Sequence, residues 1–450
     1  MDKLRVGYVC LARLTFDGEY AREVMQRTRT ALAGMENVEL VCPDDLTVEE
    51  EDAEAAAELF NREKVDVVVV QYGTFSLGSL MPLFADRLSV PIVVWGVPEP
   101  SFGGKLRINS LCGVNMNAHT LMRLGRKYET LFCNPEEGPA ELDRLFRVLH
   151  CLRRLRHVRL GLVGYRVPGF YTSNCDELDL RRRMGVELHH ITLAEVYEEA
   201  AKTDPDARKQ VIESVRACAC KVDATAEELD KAAALYLALK ELAARYHLDS
   251  LAVKCWPEFP NSYGVVACWA VSRLNDEGIL TSCEGDVYGA VMMLMAKYLT
   301  GKTPMFADFV AIDEPKNLGI GWHCGAVPTC MSADPKQVAV GKHPTARGGN
   351  LGVAVSFPIA GGMPATMTRL GMGPNGLRLF FAGGESVDTG PVLQGNPAGI
   401  RFDAPARQVL KTILDNGVEH HFVIVPADLR PELRIVAKWL DLPAIDVDGK

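Results

Sequence analysis

Hydrophobic and polar positions follow a regular alternation along the first part of the chain. Continuous apolar runs occur at LRVGYVC (4–10), VDVVVVQYG (65–73) and VPIVVWGV (90–97), and an amphipathic stretch with helical spacing, 20–34, follows the first of them. Strands that are apolar on both faces and alternate with helices are typical of a parallel sheet that is covered by helices on both sides. The pattern predicts a doubly wound α/β domain over residues 1–155.

The same alternation begins again near VRLGLVGYRVPGF (158–170). A long helical pattern at 224–246 is followed by strand-like runs at 248–255 and 279–283. We therefore predict a second doubly wound α/β domain over residues 156–300. The loop in VGYRVPG lacks the GxGxxG spacing that a dinucleotide site requires.

The pattern of predicted secondary structure changes after residue 300. Short β-segments such as NLGVAVSFPIAG (350–361) and LRLFFAGGES (377–386) are separated by glycine-rich and proline-rich turns. This pattern is typical of an antiparallel sheet or barrel. We predict a C-terminal antiparallel β-rich, barrel-like domain over residues 301–450, which gives an α/β protein of three domains.

Composition narrows the classes of partner. The net charge of −9 argues against nucleic acid as a partner, because phosphate binding requires a basic surface. No run reaches the roughly 18 apolar residues of a membrane span, so no membrane partner is expected. Thirteen scattered cysteines without a CxxC pair favour free thiols in a reducing cytoplasm. A small-molecule substrate remains compatible with all three observations.

Acidic residues lie where predicted strands end. Glu258 follows a strand in KCWPEFP, and Glu284 and Asp286 flank a glycine between a strand and a very apolar helix. Ligands of parallel sheets bind at the carboxyl ends of the strands, so these acids together favour a site. Taken singly, each has a simpler explanation, since Asp286 or Glu284 could cap the helix and Glu258 could be a solvated loop residue.

Two adjacent histidines, His420 and His421, precede the apolar run FVIVP. Neighbouring residues of a strand point to opposite faces, so we expect only one of these rings to face the acids. Carboxylates with one imidazole suit Mn²⁺, with Co²⁺ or Mg²⁺ as alternatives.

Several longer stretches carry a resemblance to a known family. They are GGMPATMTRL (361–370), EGDVYGAVMMLMAKYLTGKTPMFAD (284–308), the terminal HHFVIVPADLRPELRIVAKWLDLP (420–443) and, more faintly, QYGTFS (71–76) and GVNMNAHT (113–120). The chain resembles the L-fucose isomerase and L-arabinose isomerase superfamily, as a divergent and shorter branch. The resemblance implies a Mn²⁺-dependent aldose–ketose isomerase that acts on an open-chain sugar through a cis-enediol. It also implies a homo-oligomer, a trimer or hexamer, whose subunits share active sites. Which sugar is the substrate, and whether it carries an anionic group, stays open.

The resemblance also implies a set of site residues. Its metal ligands would be one histidine and two acids: Glu258, Asp286 and His421. The two acids and Glu284 would be the catalytic groups. The fucose branch selects Asp286 and the arabinose branch selects Glu284, and the spacing from the final helix favours His421 over His420. Glu258 would be a displaced ligand, because no acid follows the nearby Pro-Asn pair.

Candidate sugar contacts lie near these acids and in the N-terminal domain. Trp256 offers an apolar wall, and Lys254 could bind an oxygen or an anionic substituent, although loop packing would explain both residues equally well. Gln71, Asn117 and His119 belong to the N-terminal segments of the resemblance, and we expect Asn117 and His119 to come from a neighbouring subunit.

Two other functions are compatible with the residues. A glycosidase also uses two carboxylates, but it requires neither a metal nor a histidine pair. A non-catalytic sugar-binding or metal-binding paralogue would bind its ligand without exchanging the proton at C2 of the sugar with solvent.

Overall fold

The computed structural model describes residues 3–448, which divide into two compact units, Met1–His150 and Cys151–Lys450. The first unit is a five-stranded parallel sheet in the order β2-β1-β3-β4-β5. Its strands are β1 (Leu4–Leu11), β2 (Val38–Val41), β3 (Val67–Tyr72), β4 (Ile92–Gly96) and β5 (Tyr128–Phe132). Its helices are α1 (Gly18–Ala33), α2 (Glu50–Arg62), α3 (Leu80–Arg87), α4 (Ser110–Arg123) and α5 (Gly138–Leu155). The predicted doubly wound arrangement is confirmed for this region.

The second unit begins with another parallel sheet, in the order β10-β9-β6-β7. Its strands, with one short outlying strand, are β6 (Arg159–Val163), β7 (Glu187–Ile191), β8 (Lys221–Val222), β9 (Ser250–Val253) and β10 (Leu280–Cys283). The helices are α6 (Glu177–Met184), α7 (Leu193–Lys202), α8 (Pro205–Cys218), α9 (Ala226–Arg245), α10 (Cys268–Asp276) and α11 (Val287–Thr300). Helix α11 is buried almost throughout, which explains its lack of a polar face.

The rest of the second unit is rich in antiparallel strands. They are β11 (Met305–Asp313), β12 (Leu318–His323), β13 (Ala339–Lys342), β14 (Gly352–Ser356), β15 (Pro364–Gly373), β16 (Gly376–Val387), β17 (Asn396–Phe402), β18 (His421–Val425) and β19 (Ala444–Asp446), with helices α12 (Ala406–Asp415) and α13 (Arg430–Leu440). Strand β16 pairs with both β15 and β17, so six strands close into a ring in the order β15-β18-β11-β12-β17-β16. The antiparallel, barrel-like prediction is confirmed.

The second parallel sheet and the barrel lie in the same compact unit. The three-domain division at residues 155 and 300 therefore stays a prediction. Within residues 3–448, no helix is long and apolar enough to cross a membrane.

Candidate active site

A tight turn between β10 and α11 positions the central acid of the site. Glu284 and Gly285 both adopt left-handed backbone conformations, with φ of 62° and 69°. A Cβ atom on Gly285 would lie 2.3 Å from the carbonyl oxygen of Tyr165, so only glycine fits there. The turn exposes the Glu284 carboxylate to a cavity, while Asp286 caps α11 by accepting a hydrogen bond from the backbone N–H of Gly289 at 2.8 Å.

His421 lies between two carboxylates. Its Nε2 donates to Oε2 of Glu284 and its Nδ1 donates to Oδ2 of Asp286, each at 2.8 Å. Carboxylates only accept hydrogen bonds, so both ring nitrogens are protonated in this arrangement. Burial lowers the pKa of His421, but the hydrogen bonds and charges of the two acids outweigh burial and raise the pKa to about 9.

Asp308 adds a third carboxylate on the Nε2 side of the same ring. It lies directly opposite His421 in the antiparallel pair of β11 and β18, where side chains of opposed residues share a face. Its Oδ1 lies 3.6 Å from Nε2 of His421 and is buried with no hydrogen-bond partner in the described part of the chain. Glu284 and Asp308 thus converge on one ring nitrogen.

Asp286 lies behind His421 and is fully buried. Arg369 of β15, with its side chain 1% exposed, donates from Nη1 to Oδ2 of Asp286 at 2.6 Å. Burial raises the pKa of Asp286, but the charge of Arg369 and the hydrogen bond from His421 hold it below its usual range. This buried pair orients His421 from the side opposite Glu284.

Strand alternation predicted that His420 would point away from His421, but the two rings lie side by side. The two ring centroids are 3.9 Å apart, and Nε2 of His420 lies 3.9 Å from Oε2 of Glu284. The reason is that β18 begins at His421, so the alternation rule does not apply to the residue before it. Nδ1 of His420 is hydrogen-bonded to the Thr172 hydroxyl at 3.2 Å, and Phe170 packs edge-on against the ring.

The two histidines keep Glu284 negatively charged. Burial raises the pKa of its carboxyl, but the nearby imidazole of His420, the hydrogen bond from His421 and the charge of His421 hold the pKa below its usual range. The indole Nε1 of Trp256 donates to its second oxygen, Oε1, at 3.0 Å. Glu284 is therefore ionised and fixed in orientation through both oxygens.

A cavity of about 530 Å³ opens in front of these groups. Its lining includes Glu284, Asp308, His323, Trp256 and Trp322. A volume of several hundred Å³ with an aromatic wall and a few polar groups is typical of a small-molecule site.

Two predicted residues, Lys254 and Glu258, are paired with each other elsewhere. Nζ of Lys254 donates to Oε1 of Glu258 at 2.6 Å. The cavity lining, taken over residues 3–448, includes neither side chain. The charge of Glu258 is balanced by Lys254, and its role as a metal ligand stays a prediction.

The three predicted residues of the N-terminal unit differ in accessibility. Gln71 and Asn117 are fully buried within that unit. The Oε1 atom of Gln71 accepts a hydrogen bond from the Tyr8 hydroxyl at 2.6 Å, and Nδ2 of Asn117 donates to the Gly113 carbonyl at 3.0 Å. Neither side chain reaches the surface of the unit, and a sugar contact by Gln71 or Asn117 stays a prediction. His119 is exposed.

Comparison with known proteins identifies the family of this chain. Residues 7–156 match the family described as fucose/sulfoquinovose isomerase, N-terminal domain. A sulfoquinovose isomerase from Alkalicoccus urumqiensis is 30% identical over 454 residues, which cover 99% of this chain and 100% of the relative. The chain belongs to the fucose/sulfoquinovose isomerase family. It is an aldose–ketose sugar isomerase of a divergent, shorter branch of the fucose isomerase-like superfamily.

A second relative extends the similarity. A sulfoquinovose isomerase from Priestia megaterium (strain ATCC 12872 / QMB1551) is 30% identical over 446 residues, covering 98% of this isomerase and 99% of the relative. A solved periplasmic solute-binding protein from Actinobacillus succinogenes 130z with bound D-allose covers 67% of this chain and 93% of its own at 11% identity, with a TM-score of 0.18. That score is too low to bear on the fold.

Asp308 and Arg369 are not among the site residues predicted from the sequence. Asp308 ends the stretch 284–308 that carries part of the family resemblance, and Arg369 lies within another such stretch, 361–370. Their position in those stretches was the available signal. Their roles depend on pairing between strands that are far apart in sequence.

A second cluster of metal-binding residue types also lines the cavity. The Sγ atoms of Cys268 and Cys324 are 3.7 Å apart, and a ring nitrogen of His343 lies within 4.8 Å of both. Nδ1 of His343 already accepts hydrogen bonds from the backbone N–H groups of Thr345 and Ala346, at 3.1 and 3.0 Å. In the neutral ring the proton then resides on Nε2, so neither nitrogen offers a free lone pair to a metal.

Proposed function

We propose that this isomerase interconverts sulfoquinovose, a hexose with a sulfonate on C6, and the corresponding ketose, with Mn²⁺ held by Glu284, Asp308 and His421. The observation that supports it most is the convergence of two carboxylates on Nε2 of His421 at the wall of a sugar-sized cavity. The choice of substrate is supported by relatives that are named sulfoquinovose isomerases and match almost the whole chain.

The residues fit a divalent cation. Two carboxylate oxygens and one imidazole nitrogen suit Mn²⁺, with Co²⁺ or Mg²⁺ as alternatives. The cation would take the place of the proton on Nε2 of His421, while Nδ1–H keeps its hydrogen bond to Asp286. The unpartnered, buried Oδ1 of Asp308 is costly unless a cation or a donor satisfies it. The carboxylate of Asp286 on Nδ1 of His421 is the usual partner of a metal-binding histidine. This set replaces Glu258 and Asp286, the acids that the family resemblance implied, with Glu284 and Asp308.

Two carboxylates of the chain carry out the two proton transfers of the reaction. The metal, when bound, would polarise the sugar carbonyl. Glu284 removes the proton from C2 and returns it to C1, and the indole N–H of Trp256 fixes its orientation through Oε1. Asp308 moves a proton between the O1 and O2 oxygens, since it lines the same cavity and faces the sugar beside Glu284. Trp256 and Trp322 exclude water from the apolar side of the cavity.

The proposal retains a homo-oligomer, a trimer or hexamer, in the cytoplasm. His119 is the remaining candidate for a sugar contact supplied by a neighbouring subunit, since it is the exposed member of the three predicted N-terminal residues.

The test compares two aspartates of the same strand. Asp308→Asn removes one proposed ligand, whereas Asp313→Asn removes a carboxylate that pairs with Lys316 at the far end of β11. We expect Asp308→Asn to weaken Mn²⁺ binding and abolish turnover of sulfoquinovose, and Asp313→Asn to retain both. Metal affinity and turnover that are equal in the two variants would contradict the proposed ligand set.

A further inference from the structure

The cavity contains a single permanently cationic side chain. Of the described residues that line it, Arg347 is the only lysine or arginine, and it faces a space that also contains the carboxylates of Glu284 and Asp308. Lys254, the cation that sequence analysis selected, is already paired with Glu258. A substrate anion that enters this cavity therefore finds its countercharge at Arg347.

The backbone around Arg347 has an unusual conformation. Arg347 has a φ of 48°, and Gly348 and Gly349 continue in positive φ at 64° and 83°. A non-glycine residue in this region costs energy and is found where the surrounding structure fixes it. The Nη2 of Arg347 donates to the carbonyl of Pro260 at 2.7 Å, and Nδ2 of Asn350 donates to the Arg347 carbonyl at 3.4 Å.

His343 supplies a second donor at the same wall. It is 9% exposed and lines the cavity. Because Nδ1 accepts from two backbone N–H groups, the neutral ring keeps its proton on Nε2 and can only donate there. Thr345, between the two residues, also lines the cavity.

The two ends of this segment are fixed to one buried acid. Glu228 of α9 accepts from Nζ of Lys342 at 2.7 Å and from the backbone N–H of Gly352 at 2.8 Å. Lys342 and Gly352 immediately flank the segment 343–351. A loop that is held at both ends presents its side chains with little loss of conformational freedom on binding.

We propose that the segment 343–347 is the subsite that receives the sulfonate of the substrate, with the Arg347 guanidinium and the Nε2–H of His343 as its donors. This inference rests on the proposed function and adds the recognition of the anionic end. A sulfonate has only acceptor oxygens and one negative charge, which matches one guanidinium and one neutral imidazole donor. The subsite lies in the same cavity as Glu284 and Asp308, and the cavity volume of about 530 Å³ is typical of a site for one small molecule.

The test measures steady-state kinetics and solvent deuterium exchange at C2 of sulfoquinovose with the Mn²⁺-loaded protein. We expect Arg347→Gln to lower kcat/KM about 30-fold or more, mainly through KM, since a hydrogen bond to a charged group contributes about 2 kcal/mol. Arg347→Lys should recover part of the loss, because it restores the charge without the planar fork. Mn²⁺ affinity should stay unchanged in both variants.

The matched control is Arg407→Gln. Arg407 is 78% exposed and pairs with Glu314 outside the cavity, so its replacement should leave kcat/KM within about threefold of the parent protein. A parent protein that shows no exchange with sulfoquinovose would overturn the proposed function and this subsite with it. A parent protein that exchanges while Arg347→Gln behaves like Arg407→Gln would overturn the subsite alone. Faster turnover of glucose 6-phosphate than of sulfoquinovose would overturn the assignment to a sulfonate.

Discussion

Replacing Arg369 with methionine tests the buried pair that orients His421. The Arg369 and Asp286 side chains are 1% and 0% exposed, and their closest N···O distance is 2.6 Å. Removing one partner of a buried ion pair costs about 3–5 kcal/mol, because the other charge stays buried. Asp286 keeps its hydrogen bonds with His421 and Gly289, so we expect a loss near 3 kcal/mol, at the lower end of that range.

The assay is urea unfolding of the metal-free protein at neutral pH, so that altered metal affinity does not contribute to the free energy of unfolding. Arg401→Met is the control, because Arg401 and Glu385 are more than half exposed and 3.9 Å apart. We expect that control to lose less than about 1 kcal/mol. Mn²⁺ affinity of Arg369→Met should fall about 10-fold, since Asp286, the partner of the ligating histidine, loses the guanidinium that holds it in place. Equal stability losses in the two variants, with unchanged Mn²⁺ affinity, would refute the orienting role.

Three further predictions concern single side chains. Hydrogen bonds and the Lys342 ammonium outweigh burial and lower the pKa of Glu228 from 4.5 to about 2. This shift corresponds to about 3 kcal/mol of stability above pH 4.5 that is lost as pH falls towards 2. In urea unfolding at a series of pH values, the stability that Glu228→Gln loses should be constant near neutral pH and shrink below pH 4.5, and a loss that is independent of pH would contradict this. His421→Ala should weaken Mn²⁺ binding far more than His420→Ala in a metal titration, and equal affinities would remove His421 from the ligand set. Glu258→Gln should keep Mn²⁺ affinity within a few-fold of the parent protein; a complete loss of binding would restore Glu258 as a ligand.

The fold was largely predictable because its signals are local. Apolar runs such as 65–73 and 90–97 contain β3 and β4, and the glycine-rich and proline-rich turns after residue 300 indicated the barrel. The turn at Glu284 could also be predicted, because a strand, a Glu-Gly-Asp sequence and an apolar helix follow each other directly.

The composition of the site was less predictable because it depends on pairing between distant strands. Asp308 and His421 are 113 residues apart in the sequence, and only the register of β11 and β18 brings them face to face. Arg369 lies in a strand of mainly apolar and small residues, where a lone arginine gives no sign that it is buried against Asp286. Glu258 was selected by its place in the sequence, and the structure pairs it with Lys254 four residues earlier.

The most direct test of the central claim is proton NMR of sulfoquinovose in D₂O with chelator-treated protein, before and after Mn²⁺ is restored. We expect no reaction without the metal. After Mn²⁺ is added we expect ketose formation, with deuterium at C1 of the ketose and at C2 of the aldose that is formed again. Ketose formation that is equally fast in the metal-free protein would contradict the metal site of Glu284, Asp308 and His421. Tight Mn²⁺ binding without ketose formation would contradict sulfoquinovose as the substrate.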